Sequence, residues 1–323
     1  FYAKSILDYD IFHFSNAHGL NFGTYIHGLL GKLGLEYSEI RALRRLGKKI
    51  VYSMNGCPDG ASQQSMRKWG SVTPCEMCRW QDVPSVCSDE TNLEWGKVRN
   101  SMADYMVALD HNPADYNLDS RVHLVPEFYC LDQAYWNPEL LIPSNYRLPI
   151  PRDTVKVYHS VGDFGSRSSA LHTNIKCTHI YLPLIERFKR EGHKVELIFF
   201  TDVPNRKLRY YQAQADIVVD MLTFGWFGAN VREAIMLGKP AVCFLRQEWL
   251  EHAAKQLPDY VRDLPVVSAT PDNIYDILKD LVESPEKRHE IGRRSRDFAV
   301  KWHSAQAAAI RFDQIYSELL GKR

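Results

Sequence analysis

No run of apolar residues in this chain approaches the ~18 that a membrane-spanning helix needs, which argues against an integral membrane protein. An excess of one charge is missing too. Lys and Arg number 40 against 39 Asp and Glu, a net +1, so a bulk nucleic-acid binder is not expected, although a local basic patch is allowed. Cysteine is scarce, with 7 in 323 residues, too few for a disulfide scaffold. No basic-then-apolar signal segment opens the chain, so cytoplasmic residence is the default expectation. The first residue is Phe1 rather than Met, which points to a fragment or to a processed or trimmed chain. No Gly-x-Gly-x-x-Gly follows a predicted strand, which disfavours a dinucleotide-dependent oxidoreductase. Internal repeats and low-complexity tracts are absent. What is present is ordinary for a folded protein: 45% hydrophobic and 24% charged residues, in a length suited to about two domains.

Short β-branched or aromatic runs alternate with amphipathic helical patterns. Asp10–Phe14, Lys49–Ser53, Tyr105–Leu109 and Val122–Val125 read as strands. Between the first two, Phe22, Ile26, Leu29, Leu30 and Leu33 fall on one helical face. Pro138, Pro143, Pro149 and Pro151 then mark a linker. A second series follows: strand Thr154–Val161, helix Cys177–Arg190, strand Val195–Phe200, strand Asp216–Asp220, helix Asn230–Leu237 and strand Ala241–Leu245. A short strand at Val266–Val267 and helices over Asp272–Glu283 and Pro285–Trp302 complete it. This alternation predicts doubly wound parallel sheets in two nucleotide-fold domains facing a cleft. The expected boundaries are 1–145, with a four-cysteine insertion, and 153–300, with a C-terminal helix over 301–323 packing back towards the first domain.

The most informative segment runs from Gly225-Trp226-Phe227-Gly228 through Ala229, Asn230 and Glu233 to Gly238-Lys239-Pro240. It reads as strand, glycine-bearing turn, helix and strand. Gly228 lets a ligand approach the backbone. The N–H groups that open the helix at Ala229 and Asn230 suit a diphosphate. Glu233, one turn inside, can accept hydrogen bonds from ribose hydroxyls. Gly238 fits a helix C-cap. Trp226 and Phe227 read as packing residues.

These residues resemble GT-B fold glycosyltransferases, in particular the large retaining family with the pattern Glu-x7-Glu ending in Glu-Ala-x-x-x-Gly-Lys-Pro. The resemblance is strong from about Thr154 to Leu320. It implies a donor domain in which Glu233 binds the nucleotide ribose and Lys176 grips the diphosphate. Arg167, in the loop that begins at Gly162, substitutes for an arginine whose usual place is taken by Asp163. Val203, in Val203-Pro204-Asn205, belongs to the loop that reads the base. The first glutamate of the pattern is Gly225 in this chain. The resemblance also implies that no metal is required for catalysis.

In the first half, Asp10-Ile11-Phe12-His13 matches the family's Asp-x-x-His strand. Asn55 stands where relatives often carry a histidine near the reaction centre. An asparagine can hydrogen-bond a hydroxyl but cannot take its proton at neutral pH. His18 is then the nearest titratable candidate for the catalytic region. The domain lacks the opening strand and glycine-rich loop of the family, so it reads as truncated or reduced.

Cys57, Cys75, Cys78 and Cys87 cluster in a Pro- and Gly-bearing stretch, and Cys75-Glu76-Met77-Cys78 has a spacing that lets two sulfurs reach one metal. A structural zinc is one reading; accidental cysteines, a disulfide and an iron–sulfur site are the others. Cys130, Cys177 and Cys243 read as buried small residues. Arg41, Arg44, Arg45, Lys48 and Lys49 form a basic run that either touches anionic lipid or is a solvated helix end. The function expected is transfer of a sugar from a nucleotide-diphosphate sugar to a saccharide or lipid-linked saccharide, in bacterial cell-surface polysaccharide or glycoconjugate synthesis. A catalytically inactive nucleotide-sugar-binding or scaffold protein is the main alternative, with a sugar-nucleotide epimerase a third.

Overall fold

The computed structural model describes all residues except 1, 16–23, 55, 57–58, 70–72, 82, 109–112, 169–172 and 322–323. The chain divides into two compact units. The first comprises Phe1–Ser65, Val83–Phe128 and Ala309–Arg323; the second comprises Met66–Asp82 and Tyr129–Ala308.

In the first unit, strands β1 (Ile11–Phe14), β2 (Lys49–Ser53), β3 (Tyr105–Ala108) and β4 (Val122–Leu124) form one parallel sheet in that order. Alternate side chains point to opposite faces. Phe12, Phe14, Ile50, Tyr52 and Met106 pack with Ile40 and Leu43 of the helix Ser38–Arg45 and with Met102 of the helix Asp89–Met102. On the other face, Val51, Val107 and Val125 meet Ile315, with Phe312 and Tyr316 packed around them. The helix Asp89–Met102 starts where Ser88 accepts a bond from the Thr91 N–H at 3.1 Å, an ordinary side-chain cap.

The second unit holds β5 (Val155–Val161), β6 (Val195–Thr201), β7 (Ile217–Val219), β8 (Ala241–Cys243) and β9 (Val267–Ser268), all parallel, in the order β6-β5-β7-β8-β9. The residues of β7 and β8 are all buried, as parallel strands covered on both faces require. Tyr181, Leu184, Ile185 and Phe188 of the helix Thr178–Arg190 and Leu278 and Leu281 of the helix Ile274–Glu283 close the core. The strand order reverses direction between β5 and β7. In open α/β sheets the crevice at such a switch point is the ligand site.

Two expectations change. Leu29 is 48% and Leu33 62% exposed, so this stretch, helical over Thr24–Lys32, does not bury the whole apolar face that the periodicity suggested. Cys130 is exposed, whereas Cys177 and Cys243 are buried. The latter two lie beside β7 and on β8, inside the sheet layers; Cys130 follows a short 3₁₀ turn, Pro126–Phe128, outside the strands.

Candidate donor site at the strand switch point

The helix Ala229–Met236 follows β7, and its N-cap is Gly228, in extended backbone with no side-chain cap. Unlike the helix that Ser88 caps, it has no side-chain hydrogen bond from its N-cap residue to its opening N–H groups, an arrangement suited to an anion. The helix closes through Leu237 into Gly238, whose φ of +68° is the left-handed C-terminal geometry that favours glycine.

Lys176 arrives from the loop after β5. Its Nζ donates to Asp220 Oδ1 at 2.6 Å, and a Cβ built on Gly228 would lie 3.9 Å from that Nζ. Asp220 directly follows β7 and is fully buried. The neighbouring Cys177 has φ +60°, a turn that starts the helix Thr178–Arg190.

Glu233 is only 6% exposed. Its Oε1 accepts from Asn205 Nδ2 at 2.7 Å and its Oε2 from Gln212 Nε2 at 3.3 Å. The same Gln212 amide donates to Asn230 Oδ1 at 2.7 Å. Burial pushes the Glu233 carboxyl up to about 7; the two amide donors and Lys176 oppose that rise and Asp220 adds to it. The site thus brings together a cation, two buried carboxylates and the open start of a helix.

The remaining expected donor residues are more scattered. Gly162 and Arg167 are exposed, Arg167 at the end of the short helix Phe164–Arg167. Val203 is half-buried and precedes the helix Asn205–Gln212 that carries two of the Glu233 partners. Gly225 has φ +94°, and a Cβ there would stand 3.0 Å from Arg246 Cβ. The Gly225 carbonyl accepts from the Arg246 N–H at 2.8 Å. Trp226 and Phe227 are 4% and 1% exposed, packing residues as expected. Asp220, Gln212 and Asn205 were not singled out from sequence. For Asp220 a signal existed: a carboxylate closing the apolar run Ile217-Val218-Val219 at the ligand end of a parallel strand.

In the first unit, His18, Asn55 and Cys57 lie outside the described residues. His13, on β1, accepts or donates at both ring nitrogens, to Tyr316 Oη at 2.7 Å and Ser53 Oγ at 2.5 Å. Burial lowers it to about 4, so it is neutral at pH 7. Among the described residues no group of three or more His, Cys, Asp or Glu could hold a metal ion. Cys75 and Cys78 belong to the second unit and Cys87 to the first. In the basic run, Lys48 pairs with Asp10 at 3.1 Å and Arg44 donates to the Ser101 carbonyl at 2.5 Å. Among the described residues no helix is long and apolar enough to cross a membrane.

No protein-family model and no curated sequence matches the chain. Solved structures do. Sucrose-phosphate synthase from Thermosynechococcus elongatus is 13% identical over 97% of this chain and 74% of its own, with a TM-score of 0.57. Anabaena HepE in complex with UDP-glucose is 14% identical over 98% of this chain and 82% of its own, with a TM-score of 0.58. A glycosyltransferase from Rickettsia africae ESF-5 is 13% identical over 92% and 80%, at 0.52. The fold is therefore the GT-B fold of glycosyltransferases, and the four-stranded first sheet fits a reduced first domain.

Proposed function

We propose that this chain is a glycosyltransferase that moves a sugar from a nucleotide-diphosphate donor to a saccharide or lipid-linked saccharide, with retention of configuration, in bacterial cell-surface polysaccharide or glycoconjugate synthesis. The observation that carries the reading is a lysine ammonium, Lys176, paired with Asp220 and standing with the buried carboxylate of Glu233 around a helix start that has no side-chain cap, on the switch point of a parallel sheet. Glu233 accepts from the ribose hydroxyls, while Asn205 and Gln212 hold its carboxylate in orientation. Lys176 and the N–H groups at Ala229 and Asn230 face the diphosphate. That group gains negative charge as the glycosidic bond breaks, so fixed positive charge there lowers the barrier. The leaving phosphate oxygen can take the acceptor's proton in a front-face displacement, so the scheme does not depend on a base at Asn55 or His18.

HepE is recorded with UDP-glucose, which makes UDP the first nucleotide to try. The test is calorimetric titration with UDP, GDP, ADP and TDP, followed by a transfer assay with the matching nucleotide sugars and a panel of saccharide acceptors. Glu233→Ala is expected to weaken the preferred nucleoside diphosphate by about tenfold or more, equal to ~1.4 kcal/mol, and to leave inorganic pyrophosphate unaffected. Equal losses for both ligands would remove Glu233 from the ribose.

One observation favours binding without transfer. Position 225, where the family pattern has its first glutamate, has backbone suited to glycine and is packed by Arg246. Tight nucleotide binding with no turnover against any acceptor selects that reading. We place the reaction in the cytoplasm, where the basic run near Arg41 and Arg45 either touches anionic lipid or is a solvated helix end. The zinc expectation for Cys57, Cys75, Cys78 and Cys87 rests on spacing alone, since among the described residues no three of them form a metal-holding group; elemental analysis of the purified protein that finds no stoichiometric zinc ends it.

A further inference from the structure

We infer that Asp220 is a positioning residue for the diphosphate site: it holds the Lys176 ammonium beside Gly228 before any donor arrives, and its charge moderates the grip on the nucleoside diphosphate left after transfer. The inference rests on the reading of that site given above.

Both partners are held from their backbone sides. The Asp220 N–H donates to the Val242 carbonyl at 2.9 Å, and its carbonyl accepts from Tyr181 Oη at 2.5 Å. The Lys176 N–H donates to Asn174 Oδ1 at 3.0 Å. Asn174 is fully buried and is tied through Nδ2 to Ser168 Oγ at 3.2 Å and Thr178 Oγ1 at 3.1 Å. From these two anchors the side chains converge to 2.6 Å. A lysine recruited from solvent loses rotamer freedom when it grips a phosphate; here that loss is already taken in the unliganded protein. The ammonium has three donors. Asp220 Oδ1 accepts one, and Gly228 presents no side chain towards the others.

The second carboxylate oxygen, Oδ2, is fully buried and has no hydrogen-bond partner among the described residues. Lys176 therefore answers the Asp220 charge, and the pair as a whole is close to neutral. An arriving diphosphate meets a lysine that is well placed and already partly offset. Moderate affinity matters because product release limits turnover in many enzymes.

The test uses the full chain. A lysine-selective ¹⁵N spectrum of the unliganded protein is expected to contain a slowly exchanging side-chain ammonium that is lost in Lys176→Met. Its absence from the wild type overturns the inference without any Asp220 variant having to fold. Asp220→Asn keeps an acceptor and removes the charge, and is expected to bind UDP and inorganic pyrophosphate roughly three- to tenfold more tightly. Asp220→Leu removes the acceptor as well, and is expected to bind at least about threefold more weakly than Asp220→Asn. An Asn variant no tighter than wild type, or a Leu variant equal to it, overturns the role. A wild type that binds none of UDP, GDP, ADP or TDP overturns the nucleotide reading instead, and the ammonium spectrum still decides whether Asp220 holds Lys176.

Discussion

Glu233 illustrates how burial alone changes what a side chain does. Its carboxyl is raised to about 7 chiefly because the charged form has lost water. A carboxyl raised in the folded state contributes stability that is full below the unfolded value near 4.5 and is lost as pH rises through the folded value. Glu233→Gln is therefore expected to melt higher than wild type at pH 8 and to approach it at pH 4.5. Scanning calorimetry should read about 2–4 °C for each kcal/mol relieved. The same residue could be named from sequence because glycines, a helix pattern and Gly-Lys-Pro surround it. Gln212 could not, since nothing local says that its side chain turns towards Glu233; Asp220 carried the local signal of a carboxylate closing an apolar strand, but its meeting with Lys176 is decided through space. Gly225→Ala tests the backbone at this scale. It forces a Cβ into the left-handed region against Arg246 and is expected to cost about 1–2 kcal/mol, measurable by chemical denaturation.

At the scale of elements, the helix Ala229–Met236 is held by the helix Pro285–His303. Gly292 of the latter comes so close to the Gly238 carbonyl that an added Cβ would overlap it. Gly292→Ala is expected to destabilise the second unit by about 1–3 kcal/mol through overpacking. It should also weaken nucleotide binding, because the helix it displaces carries Glu233; a full-strength binding isotherm would separate packing from site. Most strands were legible because apolar runs in covered parallel strands are nearly continuous. The helices Asn205–Gln212 and Gln247–Gln256 were not anticipated, as their faces are mostly polar and only Gln212, Trp249 and Ala253 are buried.

For the whole molecule, the first unit is completed by residues distant in sequence. Phe312, Ile315 and Tyr316 cover one face of its sheet, and Tyr316 bonds His13 across 303 positions. Deleting 309–323 is expected to expose Val51, Val107 and Val125 and to melt the first unit before the second, which limited proteolysis would reveal as rapid cleavage within 1–65. Acid should destabilise both units. His13 and the fully buried His159 are lowered by burial to about 4 and about 3. A depressed histidine contributes stability that is present above the unfolded value near 6.5 and lost as pH falls towards the folded one. Wild-type stability should therefore decline below pH 6.5, with His159→Phe expected to flatten part of that decline in the second unit.

Sequence alone determined the alternation of strands and helices and the glycine-bearing turn into the helix that carries Glu233, because those patterns are local and each residue's neighbours enforce them. Tertiary structure alone decided the strand order, the burial that lifts the Glu233 carboxyl, and the meeting of Lys176 with Asp220. These depend on contacts between residues tens of positions apart, and desolvation and Coulombic pairing act through space rather than along the chain.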